Sequence, residues 1–270
     1  MWRLTFLAAG ISSRDTRFLS TTPALPLPSS GTVKPSGSKE HFVHRLFDGI
    51  STRYDLFNRI SSLGLDQGWR RRAIVRLKLA PGMQVLDLAS GTGDLAVLAA
   101  KAIAPLGTVI AADLSHPMLR LAQKKFERIP AASWHIRAIQ NRAEALPYAA
   151  GSFHAATIGF ALRNVSDLDA TFREFHRVVK PGGRLSLLEF SRPQGILLRF
   201  GHTLWLSTVV PLLGLLAVGS IGPFLYLRRS ILQFMAPEQV VRRLQAAGFA
   251  EVQAEPLTGG IVYLYSALRP

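Results

Sequence analysis

The run Gln-Val-Leu-Asp-Leu-Ala-Ser-Gly-Thr-Gly-Asp-Leu-Ala at residues 84–96 constrains this chain more than any other segment. A short apolar strand pattern passes through a glycine loop straight into a helical pattern, which places a ligand site at the carboxyl end of the strand. Gly91 and Gly93 permit positive φ and let backbone N–H groups approach a ligand closely. Further strand patterns at 108–113, 134–139, 154–160 and 184–190 alternate with helical patterns at 95–103, 117–126 and 167–179. This alternation predicts an α/β fold with a doubly wound, mostly parallel, Rossmann-like sheet covered on both faces. Pro181-Gly182-Gly183 reads as a stop and turn between helix and strand. A helix at 237–247 with Gly248 at its C-cap and a strand pair at 252–256 and 261–267 complete the pattern.

Taken literally, Gly91, Gly93 and Ala96 also satisfy a dinucleotide fingerprint, and Asp113 lies about twenty residues on, where an acid binds ribose hydroxyls. The glycines fit both a nicotinamide dinucleotide and S-adenosylmethionine. Charge separates the two. Asp87 stands in the strand before the loop and Asp94 directly after it, and two carboxylates would repel a pyrophosphate held at the helix N-terminus. They favour the ammonium and sulfonium of S-adenosylmethionine. Asp87, Gly91, Gly93 and Asp113 are therefore the expected donor-binding residues, with a nicotinamide-dependent oxidoreductase as the alternative from another class. The loop after the third strand includes Glu144 and Leu146-Pro147 and borders the adenine end of such a site. Arg163 and Asn164 follow the fourth strand and should point into the same crevice.

The chain has 270 residues, which suits one α/β domain with added segments, and it contains no cysteine. Residues 1–38 are rich in Arg, Ser and Pro and poor in acids, so they read as a disordered tail or a targeting segment, with the main domain at 39–270. The formal charge of +15 arises from 32 Lys and Arg against 17 Asp and Glu, and favours anionic partners. A nucleic-acid partner is not expected. No cysteine is present for covalent attack on a pyrimidine, no Asn/Asp-Pro-Pro-aromatic motif occurs, and aromatic residues are not interleaved with the basic runs.

Residues 46–50 (Leu-Phe-Asp-Gly-Ile), 54–58 (Tyr-Asp-Leu-Phe-Asn), 63–66 (Leu-Gly-Leu-Asp) and Trp69-Arg70 form a recognisable amino-terminal signature. With the loop at 86–94, segments 160–165, 179–184 and 188–191, and Tyr226-Leu227, Ser230-Ile231, Ala247-Gly248-Phe249, Leu257-Thr258 and Gly260-Ile261-Val262, the chain resembles the ubiquinone/menaquinone C-methyltransferases from about residue 40 to its end. The resemblance implies a class I S-adenosylmethionine-dependent methyltransferase that methylates a ring carbon of a polyprenylated quinol. That acceptor is demethylmenaquinol, or alternatively the ubiquinol precursor 2-polyprenyl-6-methoxy-benzoquinol. It also implies donor contacts at Thr92 and Asp113, and at Arg142 and Ala143. Arg142 is a departure, a cation where the family has Asn or Asp, and His154 replaces the family's acid.

Carbon methylation needs an electron-rich ring carbon in line with the sulfonium methyl, and loss of a quinol proton makes that carbon nucleophilic. Arg163 and Asn164 are expected to orient the quinol oxygen and a water, with Tyr54 nearby from the amino-terminal cover. His154 and His202 are the alternative bases. Residues 203–227, inside an apolar insertion at 196–234, are uncharged and flanked by Arg199 and Arg228-Arg229. Their length reaches that of a membrane span, but Pro211, Gly214, Gly219, Gly222 and Pro223 interrupt them. The expected role is a lid or tunnel for a prenyl tail that dips into the bilayer surface, with a span and a buried core segment as alternatives. This places the protein on the cytoplasmic side of a bacterial membrane, or in a mitochondrion or plastid if residues 1–38 are a transit peptide.

Overall fold

The computed structural model describes residues 54–129 and 135–270. The tail at 1–38, the signature at 46–50 and Trp134 lie outside the described residues. Two short helices come first, α1 (Tyr54–Ser61) and α2 (Leu65–Arg76). The alternating unit then runs β1 (Gln84–Leu88), α3 (Asp94–Ile103), β2 (Thr108–Asp113), α4 (His116–Glu127), β3 (His135–Gln140), β4 (Phe153–Gly159), α5 (Leu168–Val178) and β5 (Val179–Phe190). An apolar hairpin follows. It comprises α6 (Ile196–Leu204), a π-helical turn (Trp205–Val209), α7 (Val210–Val218) and α8 (Gly222–Gln233). Helix α9 (Pro237–Ala246) and strands β6 (Ala250–Leu257) and β7 (Val262–Leu268) close the chain.

The seven strands pair in the order β3-β2-β1-β4-β5-β7-β6. Strands β1 to β5 are parallel, and β7 enters antiparallel between β5 and β6. The order reverses direction between β1 and β4, so their two carboxyl-end loops diverge and leave a crevice there.

Strand alternation sorts side chains to the two faces. Leu86 and Leu88 join Phe172, Phe175 and Tyr265 in the core on one face. Val85 packs with Leu95, Ala99 and Ile103 of α3 on the other. Asp87 shares the parity of Val85, so its carboxylate lies under α2 and α3 and not toward solvent.

One expectation is corrected. Pro181-Gly182-Gly183 does not end the strand but bulges out of it. Val179 pairs with Phe153 and Arg184 with Ala155, so the residues between have no partners in β4. Their backbone bonds go instead to the carboxyl terminus, Gly182 N–H to the Arg269 carbonyl at 2.8 Å and Arg269 N–H to the Gly183 carbonyl at 2.9 Å. Gly182 sits at φ 75°, a value that glycine adopts without strain.

Candidate active site

Two residues other than glycine take left-handed backbone angles at the ends of the neighbouring strands β1 and β4, Ala89 (φ 51°) and Phe160 (φ 59°). Such angles are held only where the surroundings enforce them, and they gather at functional sites. Between these two turns lies a cavity of about 150 Å³ lined by Ala89, Gly91, Asp113, Arg142, Ala143 and Asn164, among others. Asp113 ends β2 and organises the loop. Its Oδ2 accepts the Gly91 N–H and its Oδ1 accepts the Ser115 N–H, both at 2.8 Å. Ser115 in turn caps α4 by accepting the Met118 N–H. Arg142 lies 3.6 Å from Glu144 in the same wall.

Thr92 and Gly93 fall outside that lining. The Thr92 hydroxyl donates to Asp55 of α1, so it ties the loop to the amino-terminal cover. Gly93 precedes α3 at φ 83°, and a Cβ there would stand 2.5 Å from the Phe126 ring. Its glycine is needed for close helix packing.

The two carboxylates that flank the loop differ in a way that spacing alone does not disclose. Asp94 is paired: Lys125 Nζ lies 2.7 Å from it and also 2.7 Å from Asp55, and Arg70 Nε lies at 3.8 Å. Burial pushes the Asp94 carboxyl up, but the Lys125 and Arg70 charges outweigh it and hold the group below the usual carboxylate range. Asp94 is therefore not a free charge awaiting a ligand. Asp87 is fully buried, and neither of its oxygens has a well-formed hydrogen bond. Desolvation pushes its carboxyl well above the ordinary value, and the Ala96 N–H and the Arg70 charge offset only part of this. An orphaned buried carboxylate under the glycine loop fits a site whose ligand supplies a cation or a donor.

A second cavity, of about 300 Å³, is also lined by Phe160, the residue the two cavities share. The Phe160 ring sits 4.7 Å from Phe190 and 6.1 Å from Trp69, with the Arg70 guanidinium 5.2 Å above it. The walls are mostly apolar: Phe57 and Phe224 in contact at 4.2 Å, with Leu206, Val210 and Ile231 behind them. Helices α6 to α8 roof it, and Trp205 ties the roof to α1 by donating to the Ser61 carbonyl at 3.2 Å.

Arg163 lines this second cavity and Asn164 the first. Arg163 is fixed by Glu189 of β5: its Nη1 lies 2.6 Å from Glu189 Oε1 and donates to the Phe160 carbonyl at 2.6 Å. Glu189 also accepts the Arg163 and Phe190 backbone N–H groups. Asn164 Oδ1 accepts the Tyr226 hydroxyl of α8 at 3.0 Å, a contact that joins the roof to the turn between the cavities. Burial raises the Tyr226 hydroxyl above its ordinary range, so it stays a donor.

Tyr54 lines neither cavity. His154 is also elsewhere. It sits at the amino ends of β1 and β4, where Nδ1 accepts the Gln84 N–H and Nε2 faces Lys180, both at 2.9 Å. His202 does line the second cavity, from α6. Sequence reasoning assigned no role to Asp55, Lys125, Tyr226 or Glu189. Asp55, Tyr226 and Glu189 stand in the motifs that carry the family resemblance, and Glu189 is also the one acid of the strand pattern at 184–190.

Solved structures of this shape include S-adenosylmethionine-dependent methyltransferases. An S-adenosylmethionine-dependent methyltransferase from Aquifex aeolicus matches with a TM-score of 0.55 at 16% identity, over 74% of this chain and 89% of its own. Phosphoethanolamine N-methyltransferase 2 of Haemonchus contortus, in complex with S-adenosylmethionine, matches with a TM-score of 0.63 at 18% identity, over 88% of this chain and 61% of its own. The fold is that of the class I S-adenosylmethionine-dependent methyltransferases.

Within that class the chain belongs to the ubiE/COQ5 methyltransferase family, whose model matches residues 35–269. It is 41% identical to a demethylmenaquinone methyltransferase of Thermus thermophilus over 226 residues, 83% of this chain and 100% of that protein. It is 42% identical to the ubiquinone/menaquinone biosynthesis C-methyltransferase UbiE of Syntrophotalea carbinolica over 224 residues, 83% of this chain and 92% of that one. The protein is a methyltransferase with S-adenosylmethionine as donor, and the nicotinamide alternative is set aside.

Proposed function

We propose that this methyltransferase acts on a ring carbon of demethylmenaquinol. The observation that carries the reading is an apolar cavity that shares the lining residue Phe160 with the donor cavity, in a chain whose relatives include demethylmenaquinone methyltransferases. The ubiquinol precursor is the second acceptor, favoured by the relatives that bear both quinones in their names. Asp113, Gly91, Arg142 and Ala143 would hold the adenosyl part, and Asp87 the cationic end beneath the loop. The donor, when bound, supplies an electrophilic methyl group. Arg163 stabilises the negative charge that develops on the quinol oxygen, since its guanidinium is fixed by Glu189 at the wall of the acceptor cavity. Asn164 and Tyr226 hold the turn between the two ligands in place. Quinone profiling of a strain without the gene tests the reading. Demethylmenaquinone is expected to accumulate, and an unchanged quinone pool contradicts the proposal.

The reading extends to the membrane, where such a substrate resides. We propose peripheral docking through the roof, on the cytoplasmic face. The stretch Ile196–Leu216 is apolar along 21 residues and only 22% of its most apolar window is buried. Ile196, Leu197, Phe200, Leu212 and Leu216 are exposed along it, and Arg199 and Arg229 stand among or beyond them. Replacing Leu197 and Phe200 together by glutamate is expected to weaken binding to anionic lipid vesicles by at least about tenfold, since each apolar side chain contributes roughly 1.5–3 kcal/mol on burial. Flotation of vesicles measures this, and release of the wild-type protein by carbonate distinguishes docking from a span. Equal flotation of the double variant contradicts the proposed surface.

A further inference from the structure

Carbon methylation of a quinol requires a group to receive the hydroxyl proton, and most titratable residues of the acceptor cavity are already committed. Five line it among the described residues: Asp66, Arg70, Arg163, His202 and Tyr226. Arg163 and Arg70 present guanidinium N–H donors and no acceptor, so they can stabilise an oxyanion but not accept its proton. Asp66 is held by Arg70 at 2.6 Å and by the Ser62 and Gln67 side chains at 3.1 and 3.0 Å. The Tyr226 hydroxyl already donates to Asn164. Glu189, behind Arg163, is fully buried and accepts hydrogen bonds from Arg163 and Phe190. His202 differs from all of these. It is buried on α6 with 8% of its surface exposed, it opens onto the cavity, and its ring makes no hydrogen bond to any described residue.

The geometry points to His202 as the general base that takes the proton of the acceptor's ring hydroxyl, while Arg163 stabilises the oxygen left behind. The assignment rests on the acceptor being a quinol, as proposed above. The O–H bond breaks with its proton passing to an imidazole nitrogen and its electron pair staying on oxygen. That pair is delocalised onto the ring carbon, which forms the new C–CH3 bond as the S–CH3 pair departs onto sulfur. The ring C–H proton is then lost to solvent, the ring recovers its aromatic oxyanion, and the imidazolium returns its proton to the oxygen. The balance is one methyl group transferred and one proton released.

Burial lowers the basicity of His202 below the ordinary imidazole range, so the ring is neutral, and able to accept a proton, at neutral pH. The charged groups that line the same cavity among the described residues are Asp66 and Arg70 from α2 and Arg163 from the turn after β4, with Tyr226 of α8. The expected pH profile of kcat therefore rises through an acid limb below the usual histidine value and is flat above it.

His202→Gln and His202→Ala test this with purified full-length protein, a short-chain demethylmenaquinol and a short-chain methoxy-benzoquinol as acceptors, and S-adenosylhomocysteine calorimetry beside the kinetics. The expected result for His202→Gln is a loss in kcat of about 10²–10⁴-fold, the contribution typical of general base catalysis, with the acid limb gone and product affinity retained. Added imidazole should restore part of the rate to His202→Ala. If His202→Gln keeps kcat within about threefold of the wild type and keeps the acid limb, His202 is not the base, whatever the acceptor. A changed KM with an intact acid limb also overturns it, since that marks a packing role. If the wild type methylates neither quinol, the acceptor reading itself fails and this assignment falls with it.

Discussion

Glu189→Ala is expected to cost about 3–5 kcal/mol of folding stability, the usual penalty for removing one partner of a buried ion pair. The pair is completely enclosed, with 4% of the Arg163 side chain and none of the Glu189 side chain exposed. Without Glu189 a cation stays buried beside Phe160, and the backbone N–H groups of Arg163 and Phe190 lose their acceptor. Each such orphaned group costs about 1–3 kcal/mol by itself. Methyl transfer should also fall sharply, because only the Phe160 carbonyl then holds the guanidinium on the acceptor cavity. Urea denaturation followed by circular dichroism measures the stability. Arg163→Met combined with Glu189→Leu should cost less than the sum of the single changes, since no uncompensated charge remains. A loss under about 1 kcal/mol for Glu189→Ala would be the behaviour of an exposed pair and would refute the enclosure.

Asp113→Ala should weaken donor binding by about 10²–10⁴-fold. The carboxylate is positioned by two backbone N–H groups on either side of the cavity and lines it, so a ribose diol would find both oxygens at hand. Two hydrogen bonds to a charged acceptor contribute roughly 1.5–3 kcal/mol each, which sets that range. Asp113→Asn keeps the shape and loses the charge, so it should fall between the wild type and alanine. Calorimetry with S-adenosylhomocysteine reads the effect directly. Affinity within about threefold of the wild type for Asp113→Ala would remove this residue from the donor site.

Much of the scaffold was legible because periodicity is a local property. The strands and helices read from apolar spacing lie within a residue or two of those positions, apart from β5, which begins at Val179, whereas α1, α2 and the roof helices α6 to α8 were not read from it. Pro181-Gly182-Gly183 misled because proline and glycine punctuate turns and bulges alike, and only the pairing of Arg269 decides between them. The site was legible where one loop carries it, as at Gly91 and Asp113. It was not legible where charges meet across the fold. Lys125, 31 residues from Asp94 and 70 from Asp55, neutralises a carboxylate that spacing alone presents as available. His202 is the reverse case. On an apolar helix a lone histidine carries little signal, and only the folding of α6 over the sheet turns its ring into the acceptor cavity. The family resemblance reached the same class by another route, through motifs spread along the chain.

Incubation of the pure protein with methyl-deuterated S-adenosylmethionine and demethylmenaquinol follows methyl transfer to the ring carbon. Mass and proton spectra of the product should place the deuterated methyl group on the quinone ring carbon, with S-adenosylhomocysteine formed in equal amount. A label on oxygen, or donor bound with the quinol left unmethylated, would contradict methyl transfer to the ring carbon.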